Sequence, residues 1–521
     1  MELLKKNIRM FSETGKVTDQ IALEEDCIVP DSLPDADRII WKKAAVKMKE
    51  VQIDDGRALL VGELQVWILY IDDTSGHGIH RLESTISFQE NQVLPEQASR
   101  DNTQIQWKLE DITASLINSR KVSIHSLISF HFSMEESREI QAVVEMHGIS
   151  DVSTQRMELE LLELKHQKKD VFRIKESVSL PSSKPTIRNL IWNHVQLRGI
   201  EYKPIDGKIE IKGELLIFIL YESEEETSDI QWMESAVPFQ GSLEDSQVQA
   251  DDVIRIQMQI EQADVEIEND YDGEKRQLSV ETTLNLNIRI YEEEQADILK
   301  DVYSPVKELQ PIREERVYES LITKNTVRTK NSGKLHLQTS QPRMLQLCSS
   351  VGEINIDDIN IAEQELVIEG AVIVSVLYVS SDDKVPYAVL EDAVPFQQTV
   401  NIPGLDAGCH VSVQGQIEQL AAGMLDSETA EAKIALSLEI FAVKEQKEAC
   451  ITEVEIKEMD LKKLQQLPGI VGYIVQPEDT LWSIAKQYYT TPEKICELNE
   501  IKESDLKPGL GIVIVKTVLS N

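Results

Sequence analysis

From Lys208 the chain reads KIEIKGELLIFILYES, a run that is apolar on both faces of an extended strand. Ile209, Ile211, Leu215, Ile217 and Ile219 lie on one side, and Leu216, Phe218 and Leu220 on the other. Successive strand side chains point to opposite faces, so this segment is predicted to be a strand in the middle of a two-layer structure. Residues 278–290, LSVETTLNLNIRI, alternate strictly, with Leu278, Val280, Leu284, Leu286, Ile288 and Ile290 on one side. That pattern predicts a long strand with one buried face. The preceding DYDGEKR carries Asp272-Gly273, a hairpin-turn signal. A later stretch, AKIALSLEIF, repeats the alternation with Ile434, Leu436, Leu438 and Ile440.

These strands belong to a repeat. Gly62, Gly213 and Gly370 anchor three segments that superpose without gaps. Tyr70, Tyr221 and Tyr378 each lie 8 residues beyond the anchor, and Phe88-Gln89, Phe239-Gln240 and Phe396-Gln397 begin 26 beyond it. Leu109-Glu110, Ile260-Glu261 and Ile417-Glu418 begin 47 residues beyond it, and Pro34, Pro185 and Pro342 stand 28 before it. Trp41 and Trp192 precede the anchor by 21 and Pro30 and Pro181 by 32, whereas the third copy has Ser349 and Gln338 at those positions. It also has Ala371 in place of Glu63 and Glu214.

The anchors are 151 and 157 residues apart, so each copy is a whole domain and not a turn of a solenoid. The fold class expected is mainly β, with three tandem sandwich-like repeat domains. Their expected ranges are 1–170, 171–304 and 335–460. Residues 305–334 read as a linker of helical character, with seven basic against four acidic residues. An anchor glycine inside a strand predicts a bulge or a close backbone approach.

After KEMDLKKLQQLPG the periodicity changes. Tyr473-Ile474-Val475 reads as a short strand. Gln476 to Thr480 reads as a turn, with Asp479 or Thr480 suited to cap a helix. LWSIAKQYY then places Leu481, Ile484 and Ala485 at helical spacing. Thr491-Pro492-Glu493 predicts a second helix, with Thr491 as its cap and Pro492 at its first position. A turn at Asp505 to Gly509 leads into the strand Gly511 to Val515. The order is β-α-α-β.

This module, residues 470–516, resembles the LysM family. The stretches Y-x-V-x-x-x-D-T-L-W-x-I-A, L-N-x-I and L-x-P-G carry the resemblance. It implies a shallow groove for N-acetylglucosamine polymers, with Asp479, Thr480 and Leu481 on one side and Ile501, Leu506 and Pro508 on the other. Backbone amides would bind acetamido groups there. Glu478 departs from the glycine usual in that turn, and a glutamate tolerates a positive φ poorly. Trp482 reads as core packing in preference to a sugar platform, and Asn499 as a residue that holds the loop.

Of the 521 residues, 91 are acidic and 53 basic, for a net charge of −38. Such a surface repels nucleic acid and does not favour an anionic membrane by charge. The five cysteines, Cys27, Cys348, Cys409, Cys450 and Cys496, are scattered and include no C-x-x-C. They read as buried thiols of a reducing compartment. No signal peptide or membrane-spanning stretch is legible. No HExxH helix, phosphate-binding loop or G-x-S-x-G elbow occurs. His77 and His80 read as loop residues, and Glu222 to Glu226 as a solvated turn. Neither an enzyme nor a cofactor or metal is expected.

The P-D-S-L-P lead (Pro30 to Pro34), the G-E…L-Y core and the P-F-Q or S-F-Q stretch resemble SPOCS domains. With one terminal LysM module, the organisation is similar to the SipL-like spore-coat morphogenetic proteins. That resemblance implies a scaffold of endospore coat assembly, made in the mother-cell cytoplasm and gathering at the forespore surface. Its implied partners are the coat morphogenetic ATPase and other coat proteins. The alternative is an envelope protein that binds peptidoglycan or N-acetylglucosamine oligomers.

Overall fold

The computed structural model describes the chain apart from residues 1, 55, 75–77, 97, 101, 150, 226–229, 459–467 and 517–521. Three units follow one another, each of six antiparallel strands in two three-stranded sheets. In the first, β2 (Ala36–Asp54), β3 (Arg57–Asp72) and β4 (Ile79–Val93) form one sheet with β3 central. β1 (Glu2–Ile28), β6 (Lys121–His147) and β5 (Thr103–Asn118) form the other, with β6 central. The second unit repeats this with β7 (Ser153–Ser179), β8 (Ile187–Ile205), β9 (Lys208–Ser223), β10 (Ile230–Glu244), β11 (Val253–Glu268) and β12 (Gln277–Tyr303). The third uses β13 (Glu308–His336), β14 (Met344–Ala362), β15 (Glu365–Ser380), β16 (Tyr387–Asn401), β17 (Cys409–Met424) and β18 (Thr429–Lys457). The fold is mainly β, as the alternation predicts.

Each position of the repeat has a physical job. Gly62, Gly213 and Gly370 sit on the central strands β3, β9 and β15, directly opposite Phe88, Phe239 and Phe396. A Cβ on Gly62 would come within 2.5 Å of the Phe88 ring, so the glycine exists to let that ring lie over it. On the other flank of the anchor the partner strand slips register, between Met48 and Glu50, Arg198 and Glu201, and Ile356 and Asp358. Both expectations for the anchor, a close approach and a bulge, therefore hold. The glutamates Glu110, Glu261 and Glu418 fall at a register shift in their own strands, where one residue is left out of the ladder.

The tyrosines close the loop that leads into each unit. Tyr70, Tyr221 and Tyr378 donate their hydroxyls to the carbonyls of Pro34, Pro185 and Pro342, at 2.9, 3.1 and 2.9 Å. Burial pushes each hydroxyl up to about 12, so it remains a donor throughout the range in which the protein is folded. Tyr221→Phe should lower stability by about 1 kcal/mol, the typical net value of one such bond, without changing the fold. Urea unfolding of the full chain checks this, and an unchanged midpoint would show that the repeated tyrosine serves ring packing alone.

Residues 305–334 are not a linker. Nearly all of them belong to β13, a 29-residue strand paired with β18 along its length. Its charges mask the strand alternation: Arg313, Lys324 and Arg328 sit beside carboxylates or carbonyls of neighbouring strands, and Arg316 pairs with Glu314 of β13 itself. Likewise β7 runs unbroken through the boundary expected at 170/171.

The outer strands of the second sheets, β1, β7 and β13, and their central strands, β6, β12 and β18, are 27 or 29 residues long, far beyond the usual strand. One half of each packs in its own unit. The other half joins a layer shared by all three. Met10, Leu161 and Tyr318 occupy equivalent places and meet in one cluster with Ala142, Ile298 and Cys450. Val143, Leu299 and Ile451 meet in the next. The units are thus related by a pseudo-threefold axis.

A second shared cluster contains the equivalent leucines Leu69, Leu220 and Leu377 together with Trp41, Trp192 and Phe218. This explains the doubly apolar run at Lys208. Leu215, Ile217 and Ile219 fill the second unit's own core, and Phe218 and Leu220 fill the contact between units. The indoles of Trp41 and Trp192 stack with centroids 5.3 Å apart. The third equivalent, Ser349, instead donates to Glu234 at 3.1 Å.

Candidate functional site

The terminal module consists of β19 (Ile470–Ile474), α1 (Leu481–Gln487), α2 (Pro492–Asn499), a 3-10 turn (Glu503–Asp505) and β20 (Gly511–Val515). Thr480 caps α1: its side chain accepts from Ser483 N–H, and Ser483 Oγ accepts from Thr480 N–H, each at 3.0 Å. Thr491 caps α2, with Pro492 in its first turn. Asn499 donates to the carbonyls of Ile495 and Val513 and accepts from Val513 N–H, pinning the end of α2 to β20.

The two walls expected of the groove lie side by side. The loop before β20 bonds to the residue before the first turn: Gly509 N–H donates to Val475 O at 2.8 Å, and Val475 N–H donates to Leu510 O at 2.9 Å. Asp479 is half-buried, and its carboxylate accepts from the Tyr473 hydroxyl and Gln476 N–H, both at 2.7 Å. Thr480 is exposed, and its hydroxyl is engaged as the cap. Leu481 is only 2 % exposed and packs in the module core with Ile484, Ala485, Ile495 and Ile512. Ile501 and Leu506 are half-buried against that core, and Pro508 is exposed. Glu478 is exposed, and the turn is built without a positive φ there. The substitution for glycine is accommodated by the turn geometry.

Trp482 does something the helix periodicity did not suggest. It leans out of the module and packs edge-on against Tyr303, the last residue of β12, with centroids 4.8 Å apart. Its indole N–H donates to Asp301 Oδ2 at 2.8 Å. Lys486 donates to the same carboxylate at 2.6 and 2.8 Å, and Arg313 of β13 pairs with it from the other side. The Tyr303 hydroxyl donates to Thr490 O at 2.9 Å. Burial alone would raise the Asp301 carboxyl. The hydrogen bonds from Lys486 and Trp482, with the charges of Lys486 and Arg313, outweigh it and hold the group below the usual carboxylate range.

This node docks the module on the end of β12, beside β13. Asp301 and Tyr303 were not legible as site residues, because a carboxylate and a tyrosine near a strand end carry no signal until a partner faces them. Facing away from the node, the sheet of β19 and β20 exposes Ile470 by 69 %, Ile474 by 62 %, Val513 by 44 % and Val515 by 40 %. Those four side chains on two paired strands make one contiguous aliphatic face.

Among the described residues no group of three or more His, Cys, Asp or Glu is placed to hold a metal ion. None of their helices is long and apolar enough to cross a membrane. His80 Nε2 donates to the Asp72 carboxylate at 2.9 Å, at the end of β3. His77 lies outside the described residues. Cys348, Cys409 and Cys450 are buried and Cys27 and Cys496 half-buried, and all five are free thiols.

Comparison with known families gives two matches. The model described as SipL, SPOCS domain, matches residues 35–117, 186–268 and 343–425. The model of the LysM domain matches residues 473–514. The three SPOCS matches span the second to fifth strands of each unit, and the long first and sixth strands fall outside them. No curated protein and no solved structure matches the chain.

Proposed function

Because the chain carries three SPOCS domains of the SipL family and a C-terminal LysM domain, we propose that it is a scaffold of endospore coat assembly whose terminal module binds a coat protein. Both are non-catalytic domain families. The chain is accordingly a sporulation-related protein with a module of a peptidoglycan-binding type. In this reading it acts in the mother-cell cytoplasm and at the forespore surface, and its partner is the coat morphogenetic ATPase.

One observation carries the choice of a protein partner over glycan. Trp482 is committed to Asp301 and Tyr303 of the repeats and is not free to meet a sugar, whereas the module turns its aliphatic sheet face to solvent. A tryptophan is the usual platform for a sugar ring, whereas exposed aliphatic side chains gain by burial against another protein. A single shallow sugar site is also weak without the avidity of further copies. Glu478, beside the groove, adds a negative charge there.

The second reading, a peptidoglycan-binding envelope protein, rests on the groove walls being adjacent and Thr480 and Pro508 being exposed. Calorimetry on the full chain separates the two. The coat ATPase should bind more tightly than chitin oligomers or peptidoglycan fragments, and Ile474→Asp should weaken that binding at least tenfold. Leu506→Asp tests whether the groove shares in the interface. Leu481→Asp is no test of either, since a carboxylate at that buried position would unfold the module. Tight glycan binding with no measurable ATPase binding would overturn the scaffold reading of this module.

A further inference from the structure

The second and third units enclose a cleft of about 800 Å³ between them, remote in sequence from the terminal module. Its walls come from β8, β9 and β10 of one unit and β13, β17 and β18 of the next. Four carboxylates line it, Glu201, Glu210, Glu418 and Glu439, and four cations, Lys203, Lys212, Lys324 and Arg328. In a chain with 91 acids and 53 bases, this balance sets the cleft apart from the surface around it.

The charges are largely consumed by each other. Lys212 pairs with Glu201 at 2.8 Å, and Arg328 bridges Glu201 and Glu418 at 2.8 and 2.6 Å. The Tyr202 hydroxyl donates to both oxygens of Glu439 at 2.7 Å. Lys324 lies over the Tyr202 ring, 4.8 Å from its centre, and donates to the carbonyl of Ile254. A phosphate or carboxylate ligand would need a surplus of positive charge, and a cation a surplus of negative charge. Neither is present.

What remains unspent is a set of amides. Gln240, Gln414 and Gln416 line the cleft, and their side chains have no hydrogen-bond partner among the described residues. Gln414 and Gln416, with Glu418, occupy alternate positions of β17 and so share one face of it. Each amide offers a donor and an acceptor in one plane. Ser437 and Thr326 add hydroxyls, and Ile200, partly buried, adds aliphatic surface.

From this we infer that the cleft is a binding site for a neutral, hydroxyl-rich ligand of saccharide type. A sugar hydroxyl donates and accepts at once, which matches side-chain amides flanked by paired charges, and the C–H face of the ring matches Ile200. The volume lies within the range of small-ligand sites and has room for an oligosaccharide. A peptide is less well served, since its main chain is read best by a free strand edge, and the amides here stand on a sheet face.

The test uses the full chain with neutral tetrasaccharides of glucose and of N-acetylglucosamine as probes, read by saturation-transfer NMR and calorimetry. At least one should bind, with an affinity insensitive to salt. The double variant Gln414→Ala/Gln416→Ala should weaken it about tenfold, the loss of two hydrogen bonds. Leu506→Asp, in the terminal module, should leave it unchanged. An unaltered thermal midpoint shows that the double variant is folded. Absence of binding at millimolar probe overturns the inference. So does binding that Leu506→Asp abolishes and Gln414→Ala/Gln416→Ala does not. The first outcome leaves the coat-protein reading untouched, and the second places the saccharide on the terminal module, so failure of the two readings is distinguishable.

Discussion

Gly370→Ala should cost about 3 kcal/mol, the upper end of what an inserted methyl costs in a packed layer. A Cβ at this position would stand 2.2 Å from the carbonyl oxygen of Asn355 and 2.9 Å from the Phe396 ring. The carbonyl belongs to β14 next to its register shift, so it cannot retreat without breaking the bulge. Gly62→Ala should cost less. Its tightest contact, 2.5 Å, is with the tip of the Phe88 ring, while the Lys47 carbonyl is 3.0 Å away. Gly213→Ala should cost least, about 1 kcal/mol, because its three nearest atoms lie at 3.0 to 3.3 Å and need give only a few tenths of an ångström. Urea unfolding of the three variants measures the order. Equal losses would mean that the glycines are kept for backbone freedom and not for the ring that lies over them.

Asp301→Ala should release the terminal module from the repeats at a cost of about 1–2 kcal/mol, the value of its charge-assisted hydrogen bonds discounted for partners that water can reach. Only the carboxylate is buried; the Lys486 and Arg313 side chains are each 38 % exposed. Here the abandoned groups are Lys486, Arg313 and the indole N–H of Trp482. Hydrogen exchange should speed up in α1 and at the end of β12, and scattering should report a longer particle. If exchange in α1 is unchanged, the packing of Trp482 on Tyr303 holds the module without the carboxylate. The pH dependence has a definite sign. The Asp301 carboxyl is held below its ordinary value of 3.8, so its contribution is complete above that value. It is lost as the pH falls through the lower folded-state value, so the module should stay docked at neutral pH and loosen only in acid below about pH 4.

Much of the candidate site was legible because short-range chemistry writes it. Thr480, Thr491 and Pro492 announce helix starts through groups within three residues of them. Asn499 was readable as a loop holder, and its three hydrogen bonds do hold the loop. The inward turn of Leu481 and the outward turn of Trp482 were not separable by sequence. Both stand at the start of one short helix, and only the module core on one side and Asp301 on the other tell them apart.

By itself the sequence determined the repeat, the strand alternation within it and the β-α-α-β order of the terminal module. Each of these follows from periodicity or from contacts between near neighbours, as the glycine opposite its phenylalanine shows. Only the tertiary structure decided that residues 305–334 form a strand, that the second face of the Lys208 segment meets its counterparts in the other units, and that the terminal module is fastened to the repeats. The physical reason is the same in all three cases. A charged or doubly apolar strand can be read one way as linker and another as core until the surface opposite is known. Here those surfaces come from residues far away in the chain, on equivalent strands of a threefold arrangement or, for Asp301, about 180 residues before the module it holds.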